Sequence, residues 1–123
     1  MKKNVITWFE IPVSNLKRAV TFYNHVLRTD IRIMQIGSSN MGMIPHENVG
    51  GALVEDPGYI APKNGTTIFL DGSEGIKAIL LRVKEAGGNV HIPRTQITED
   101  IGWWAEFYDL DQNRIAIYEP VTE

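Results

Sequence analysis

The chain of 123 residues contains no cysteine. It therefore has no disulfide, no thiolate metal ligand and no cysteine nucleophile. It also lacks an excess of basic charge, because 12 lysine and arginine residues stand against 15 aspartate and glutamate residues, for a formal net charge of -3. This balance argues against nucleic acid or an anionic membrane surface as the main partner. We expect a small molecule or another protein instead.

Motifs of several enzyme classes are also missing. The sequence has no G-x-S-x-G elbow, no phosphate-binding glycine loop, no dinucleotide fingerprint and no zinc-protease motif. The first residues lead into no long apolar stretch, so we expect no export signal. Together with the lack of cysteine, which fits a reducing compartment, this favours a cytoplasmic location.

The composition is typical of a folded domain. Hydrophobic residues make up 43% of the chain and charged residues 22%, which is enough apolar material for a core and too little charge for disorder. The length matches one domain. We therefore expect a single domain over residues 1–123.

An internal repeat predicts how this domain is built. Residues 6–9 (ITWF) align with residues 66–69 (TTIF) at an offset of 60, and residues 52–55 (ALVE) align with residues 116–119 (AIYE) at an offset of 64. The order of predicted elements is the same in both halves, and a four-residue insertion in the second copy explains the change of offset. The sequence thus predicts two modules, at about 1–58 and 64–123.

The first copy opens with a strand and an amphipathic helix. The segment Val5 to Ile11 is rich in β-branched and aromatic residues, and Pro12 removes a donor from the ladder. Apolar residues recur every three or four positions from Leu16 to Leu27, after a possible N-cap at Ser14 or Asn15.

The second copy repeats this order. Thr66 to Leu70 is the predicted strand, Ser73 is the expected helix cap, and Gly87-Gly88 provide a left-handed stop after the helix. Three shorter strands complete each copy and make the pattern βαβββ twice: 31–36, 41–44 and 50–54 in the first copy, and 89–92, 103–108 and 114–119 in the second.

Two segments carry a family resemblance. The opening FEIPVSNLKRAVTFY (residues 9–23) resembles the start of the vicinal oxygen chelate superfamily, which includes glyoxalase I, bleomycin resistance proteins and extradiol dioxygenases. The segment FYDLDQNRI (residues 107–115) is similar to the aspartate-rich turn before that superfamily's last strand. The match covers nearly the whole chain. The segments GGAL (residues 50–53) and AGGNV (residues 86–90) add to a resemblance with the glyoxalase-like branch of unassigned function.

The resemblance implies an α+β fold in which two βαβββ modules form a cup-shaped mixed sheet, with the helices outside and a ligand site inside. Strand alternation then predicts the faces. Trp8 and Glu10 should face the cup, and Phe9 and Ile11 should face the first helix. The other residues expected in the cup are Ile44, His46, Ile68, Trp104, Glu106, Tyr108, Arg114, Ala116 and Tyr118; those expected on the outer face are Phe69, Ala105, Phe107, Ile115 and Ile117.

Metal-dependent members of the family carry ligands on the first and last strands of each module. By the resemblance, these places are taken here by Trp8, Ala52 or its neighbour Gly51, Ile68 or its neighbour Thr67, and Ala116. The best-aligned side chains cannot bind a divalent ion, so the family's Lewis-acid chemistry does not transfer. We expect no metal and no organic cofactor, with a displaced site made of His46, Glu10 and Glu106 as the alternative.

Glu10 is the candidate catalytic residue, because a carboxylate in an apolar cup can act as a general base. It can equally form a structural ion pair with Arg114.

His46 follows a proline in a predicted loop, where a solvated histidine is the common outcome, and His25 and His91 are interpreted as structural or surface residues. Aromatic side chains on a concave sheet either stack on a planar ligand or fill the cup. The candidate ligand-binding residues are Trp8, Glu10, His46, Trp104, Glu106, Tyr108, Arg114 and Tyr118.

Three functions fit these features. The first is a protein that binds or sequesters a small organic molecule without a metal. The second is a lyase, isomerase or dioxygenase-type enzyme that uses a displaced metal or Glu10 as base, and the third is an accessory domain acting through its surface.

We expect no nucleic-acid or membrane partner. A homodimer is expected, because one module leaves an open sheet edge and related proteins pair modules across a two-fold axis; the bulky Trp103-Trp104 pair also favours it.

Overall fold

A computed structural model describes residues 6–60 and 65–122 of the chain. It contains eight strands and two helices in these ranges. The order of elements confirms the βαβββ repeat. The first module contains β1 (Trp8–Pro12), α1 (Leu16–Leu27), β2 (Arg32–Ile36), β3 (Ser39–Ile44) and β4 (Gly50–Glu55). The second contains β5 (Ile68–Asp71), α2 (Ile76–Glu85), β6 (Asn89–Thr98), β7 (Gly102–Tyr108) and β8 (Arg114–Pro120).

Each module forms its own four-stranded mixed sheet. The strand orders are β1-β4-β3-β2 and β5-β8-β7-β6, so the two sheets have the same topology. In both sheets the first strand pairs in parallel with the last strand of its module, and the remaining pairs are antiparallel. The strands β1 and β5 are therefore equivalent edge strands.

A continuous apolar core joins the helices to one face of each sheet. Leu16, Phe22 and Val26 of α1 and Ile76 and Val83 of α2 are buried in it. The helices also contact each other, and Phe22 lies 6.2 Å from Phe107 of the second sheet, measured between ring centroids. Burial of these apolar side chains supplies the main driving force for folding. The opposite face of each sheet, turned away from the helices, is called the open face below.

Both helices begin against a glutamate from the last strand of their own module. Asn15 is the N-cap of α1, and the carboxylate of Glu55 accepts a hydrogen bond from the Leu16 N–H at 2.8 Å. The carboxylate of Glu119 accepts from the Ile76 N–H of α2, also at 2.8 Å. Unpaired N–H groups and the positive end of the helix dipole favour a carboxylate here. Because Glu55 and Glu119 are aligned in the repeat, the shared contact confirms it.

The N-cap of α2 differs from the expectation. It is Gly75 and not Ser73, and no side chain of a neighbouring residue caps the helix. The backbone of Gly75 has φ 118°, a conformation that glycine adopts readily, and Glu119 supplies the missing acceptor from another strand. The predicted stop is confirmed: Gly87 has φ 95°, and the Gly88 N–H donates to the Val83 carbonyl.

The expected faces are correct for most strands. Ala105, Phe107, Ile115 and Ile117 lie in the core, and the register places Trp8 and Glu10 on the open face opposite Gly50 and Ala52. The faces expected for Ile44, Ile68 and Phe69 are wrong. Ile44 and Ile68 pack against the core, whereas Phe69 lies on the open face beside Trp104, with ring centroids 6.2 Å apart.

One extra residue before α2 explains the exchange of Ile68 and Phe69. In the first sheet Glu10 is opposite Ala52, and in the second sheet Phe69 is opposite Ala116. Ala52 and Ala116 are aligned in the repeat, so Phe69 is the equivalent of Glu10 at an offset of 59, while the helices keep an offset of 60. A shift of one residue turns every side chain of a strand to the other face.

The error at Ile44 has a separate cause. Ile44 and His46 would share one face only if the strand continued to His46, but β3 ends at Ile44, and Pro45 and His46 lie in a loop. Within β3, Met43 is opposite Ala52 and therefore occupies the open face. Strand alternation holds only as far as the ladder extends.

The aspartate-rich turn connects the two modules. Buried Asp109 accepts hydrogen bonds from the Tyr23 hydroxyl of α1, the Asn113 side chain and the backbone N–H groups of Asp111 and Asn113. The Asn113 side chain also donates to the carbonyl of Pro12 at 2.7 Å. Burial raises the pKa of both Asp109 and Tyr23. The segment that marked the family resemblance is thus a structural link between the modules.

In the described ranges, neither helix is long and apolar enough to cross a membrane.

Candidate functional site

A cleft of about 1090 Å³ lies between the two equivalent edge strands, β1 and β5. Its walls are mostly apolar, and the polar side chains in it include Glu10, Thr67, Asp71 and Arg114. This combination of apolar walls and a few polar groups is typical of small-molecule sites. We define this space as the central cleft.

Two aromatic side chains enter the central cleft from opposite walls. Trp8 comes from β1 and Phe69 from β5, and they are 36% and 52% exposed. Ile60 of the connection between the modules also lines the cleft and is 81% exposed. Large apolar groups clustered in a concave site and left uncovered indicate a binding surface.

Glu10 lies on the same wall as Trp8, and its side chain is exposed. It makes no hydrogen bond or ion pair with any other described residue. The predicted pair with Arg114 is therefore wrong. Glu10 lies close enough to Tyr59 for its charge to act there: burial and the negative charge of Glu10 raise the pKa of Tyr59. Glu10 is thus a carboxylate that faces the cleft without a balancing cation in the described ranges.

Arg114 is held by other groups. Its Nη2 donates to the carbonyl of Gly65 at 2.8 Å and to the Thr67 hydroxyl at 2.6 Å. Its Nε lies 3.5 Å from Oε1 of Glu106, a residue that is buried on β7. Neither of these two atoms has a hydrogen-bond partner, so the attraction between them is electrostatic. Arg114 and Glu106 form a partly buried ion pair at the second wall of the cleft.

The other candidates lie around the cleft. His46 is exposed, its ring lies 5.8 Å from the ring of Trp8, and its Nδ1 is 2.9 Å from the Ile44 carbonyl. This ring occupies the space that a side chain on Gly50 would fill. On the second sheet, Trp104 contacts Phe69, and the Tyr118 hydroxyl donates to the Ile101 carbonyl. These residues lie on or beside the open face of the two sheets, and only some of them line the central cleft.

Tyr108 lies beside His91, which the sequence predicts only as a structural or surface residue. The rings of Tyr108 and His91 are 5.0 Å apart, so His91 contacts the open face. His25 lies on α1 and contacts Glu85 of α2 at 2.9 Å, which agrees with a surface role.

Sequence reasoning missed three cleft residues. The expected face of Phe69 is wrong, Thr67 is expected only as the alternative to Ile68 at a metal position, and Tyr59 is not expected in the cleft at all. For Thr67 and Phe69 the one-residue shift before α2 removed the signal. Tyr59 follows the turn at 56–58 in a segment interpreted only as a connection, and nothing in its local sequence points to the cleft.

The positions that the sequence resemblance assigns to metal ligands can now be placed by register. They correspond to Trp8, Ala52, Thr67 and Ala116, so the third position is Thr67 and not Ile68. Within residues 6–60 and 65–122 there is no group of three histidine, aspartate or glutamate side chains that could hold a metal ion. The displaced site of His46, Glu10 and Glu106 is therefore not formed; Glu106 contacts Arg114 instead.

A second cleft of about 800 Å³ lies beside the start of α1. Its acidic side chains already have structural partners: Glu55 accepts from the Leu16 N–H, and Asp111 accepts from both the backbone and the hydroxyl of Ser14. Asp56 accepts from Ser39 and Gly58, and these bonds lower its pKa. We therefore assign this cleft a structural role and place the candidate site in the central cleft.

Solved structures with this arrangement are known. A member of the glyoxalase/bleomycin resistance protein/dioxygenase superfamily from Sphaerobacter thermophilus matches with a TM-score of 0.71 and 20% identity, covering 94% of this chain and 97% of that one. The chain has the fold of this superfamily. The glyoxalase-like fold expected from the two sequence segments is confirmed.

Two further proteins with the glyoxalase-like fold are described by their function. The fosfomycin resistance protein FosX from Listeria monocytogenes matches with a TM-score of 0.74 and 15% identity over 100% of this chain and 95% of its own. The antibiotic binding protein TnmS3 from Streptomyces matches with a TM-score of 0.64 and 24% identity over 98% of both chains. No family model and no curated protein matches the sequence. At these identities the similarity establishes the glyoxalase-like fold alone, and function has to be argued from this chain's own residues.

Proposed function

We propose that the protein binds a small organic molecule in the central cleft, between β1 and β5. The observation that carries this proposal is the pair of exposed aromatic side chains, Trp8 and Phe69, on opposite walls of one cleft. Their burial by a ligand would remove apolar surface from water, which is favourable in proportion to the area covered. The antibiotic-binding protein of the same fold provides support by analogy.

The polar residues of the cleft complete the proposed site. Glu10 and the Arg114–Glu106 pair are the proposed polar contacts, with His46 beside Trp8 at the rim and Trp104 behind Phe69. Tyr108 and Tyr118 extend the same surface along the open face. A few polar groups fix the orientation of a ligand that apolar walls hold.

The test begins with mass spectrometry of the purified protein under native conditions, to identify a co-purified ligand. Binding of that ligand, or of a fluorescent aromatic dye if none is found, is then titrated with Trp8→Ala and Phe69→Ala. We expect each variant to bind about five- to tenfold more weakly, because a truncated aromatic contact typically costs on the order of 1 kcal/mol.

Leu81→Ala is the matched control. Leu81 is 59% exposed on α2 and does not line the cleft, so its truncation removes exposed apolar surface elsewhere and should leave binding unchanged. Equal affinity of the wild type and both aromatic variants would contradict the proposal.

A second candidate function is proton transfer by Glu10. It is favoured by one observation, the exposure of this carboxylate to the cleft without a hydrogen-bond partner in the described ranges. A general base has to reach the proton that it removes. Glu10→Gln would then abolish turnover of a bound substrate while binding persisted, whereas a binding protein would show no turnover in either form.

The proposal also includes a homodimer in the cytoplasm. The support for the dimer is an exposed apolar edge strand, β2, in which Ile33, Met34 and Ile36 are each about half exposed. The Trp103-Trp104 pair gives no support, because Arg94 lies 3.7 Å from the Trp103 ring and Trp104 contacts Phe69.

A further inference from the structure

The charges of the central cleft are not balanced. Glu10 faces it as an exposed carboxylate without a partner among the residues that the structure describes. Asp71, at the end of β5, adds a second exposed carboxylate, one oxygen of which accepts from the Ser73 N–H. A carboxylate in a concave apolar site attracts positive charge, because the surrounding low dielectric strengthens its field.

The cation in the described part of the cleft is already neutralised. Arg114 lies 3.5 Å from buried Glu106 and donates to Gly65 and Thr67. An anionic ligand would have to compete with Glu106 for this guanidinium and would approach Glu10 at the same time. The charge arrangement therefore disfavours an anion.

The aromatic walls favour the same sign of charge. Trp8 lies on the same strand and face as Glu10, two residues away, and Phe69 lines the other wall. The face of an aromatic ring is negative and attracts a cation. A cation in this cleft therefore meets a carboxylate and at least one aromatic ring together.

We propose that the central cleft selects an organic cation: a molecule with a flat apolar body that packs between Trp8 and Phe69 and an ammonium group that pairs with Glu10. This inference rests on the proposed function, because it specifies the charge of the ligand that the cleft binds.

Three naphthalene compounds of nearly the same size test the sign of charge: 1-naphthylmethylammonium, 1-naphthylmethanol and 1-naphthoate. Their affinities are measured by calorimetric titration at pH 7 and low salt. We expect the cation to bind at least about fivefold more tightly than the alcohol, as a cation–π contact and an ion pair together allow, and the anion to bind most weakly. Added salt should reduce the preference.

Two variants assign the preference to its residue. Glu10→Gln should lose the preference for the cation over the alcohol. Glu99→Gln changes the net charge equally, at an exposed position in the β6–β7 turn outside the cleft, and should keep the preference.

The possible results distinguish this inference from the proposed function on which it rests. If none of the three compounds binds, the inference is wrong, and the titration with Trp8→Ala and Phe69→Ala decides the proposed function separately. If the alcohol or the anion binds as well as the cation, or if Glu10→Gln keeps the preference, the cleft binds small molecules but the inference is wrong. The wild-type series decides the sign even if a variant fails to fold.

Discussion

At the scale of single residues, Asp109 shows how a motif can identify a fold without forming its site. Its carboxylate is buried, and four donors surround it. Burial alone would make an ionised carboxylate costly, and these hydrogen bonds offset that cost. From sequence, the aspartate-rich turn could be recognised, but its partners could not, since Tyr23 is 86 residues away.

Gly102 is a second residue whose role only the structure reveals. Its backbone has φ 123°, and a Cβ at this position would lie 2.3 Å from the Glu119 carbonyl oxygen. We expect Gly102→Ala to lower the free energy of unfolding by about 2–4 kcal/mol, because backbone strain and a steric clash act together. Chemical denaturation monitored by circular dichroism measures the change.

Gly75→Ala provides the matched control. Gly75 has nearly the same backbone, φ 118°, but no atom lies within 4 Å of its added Cβ. It should therefore lose only the conformational part, about 1–2 kcal/mol. If the two variants were equally stable, the close approach to Glu119 would have no energetic weight.

At the scale of elements, the sequence was sufficient for the types and order of the strands and helices. Helical periodicity located α1 and α2, and alternation located the strands to within a few residues, apart from β6, which continues to Thr98. The strand as a whole has three register shifts, two of which involve the extension beyond Ile92, and the extension also contains Pro93. Such irregular strands carry no clean alternation. The faces of β5 were not predictable from the repeat, since one residue before α2 reverses them.

The candidate site was less accessible to sequence reasoning for the same reason. The wall formed by β1 was predicted, because Trp8 and Glu10 alternate with core residues on a regular strand. The opposite wall depends on the register of β5 and on Tyr59 of the connection between modules. Neither feature leaves a local pattern.

The capping glutamates give a prediction for the helices. We expect Glu119→Gln to destabilise the protein by about 1–2 kcal/mol at pH 7, because it removes the charge that faces both the start of α2 and Arg94. Hydrogen bonds from Arg94 are the largest cause of the lowered pKa of Glu119. Glu55→Gln should cost less, since Glu55 caps α1 without an ion pair in the described ranges.

The dependence on pH has a defined sign. A carboxylate whose pKa is lower in the folded protein stabilises it above the unfolded pKa, here 4.5, and this contribution is lost as the pH falls. The difference in stability between the wild type and Glu119→Gln should therefore be full at pH 7 and shrink below pH 4.5. Thermal denaturation at a series of pH values measures it, and a constant difference would contradict the assignment.

At the scale of the whole molecule, the repeat is preserved in topology and capping but not at the sheet edges. The outer edge of the second sheet, β6, contains Pro93 and register shifts, which are features that prevent pairing with another chain. The outer edge of the first sheet, β2, is regular and has three half-exposed apolar side chains. This asymmetry favours β2 as the edge that a second copy covers.

The last prediction follows from this difference. If two β2 strands pair across a two-fold axis, sedimentation should give twice the chain mass of 13.9 kDa at micromolar concentration. Met34→Lys places a charge on that edge and should shift the equilibrium towards monomer by at least about tenfold, because an unpaired buried charge is costly. Leu81→Lys adds the same charge at an exposed apolar position on α2 and should leave the dimer intact. A wild-type monomer would refute the dimer, whereas a dimer unaffected by Met34→Lys would place the interface elsewhere and leave β2 exposed for another reason.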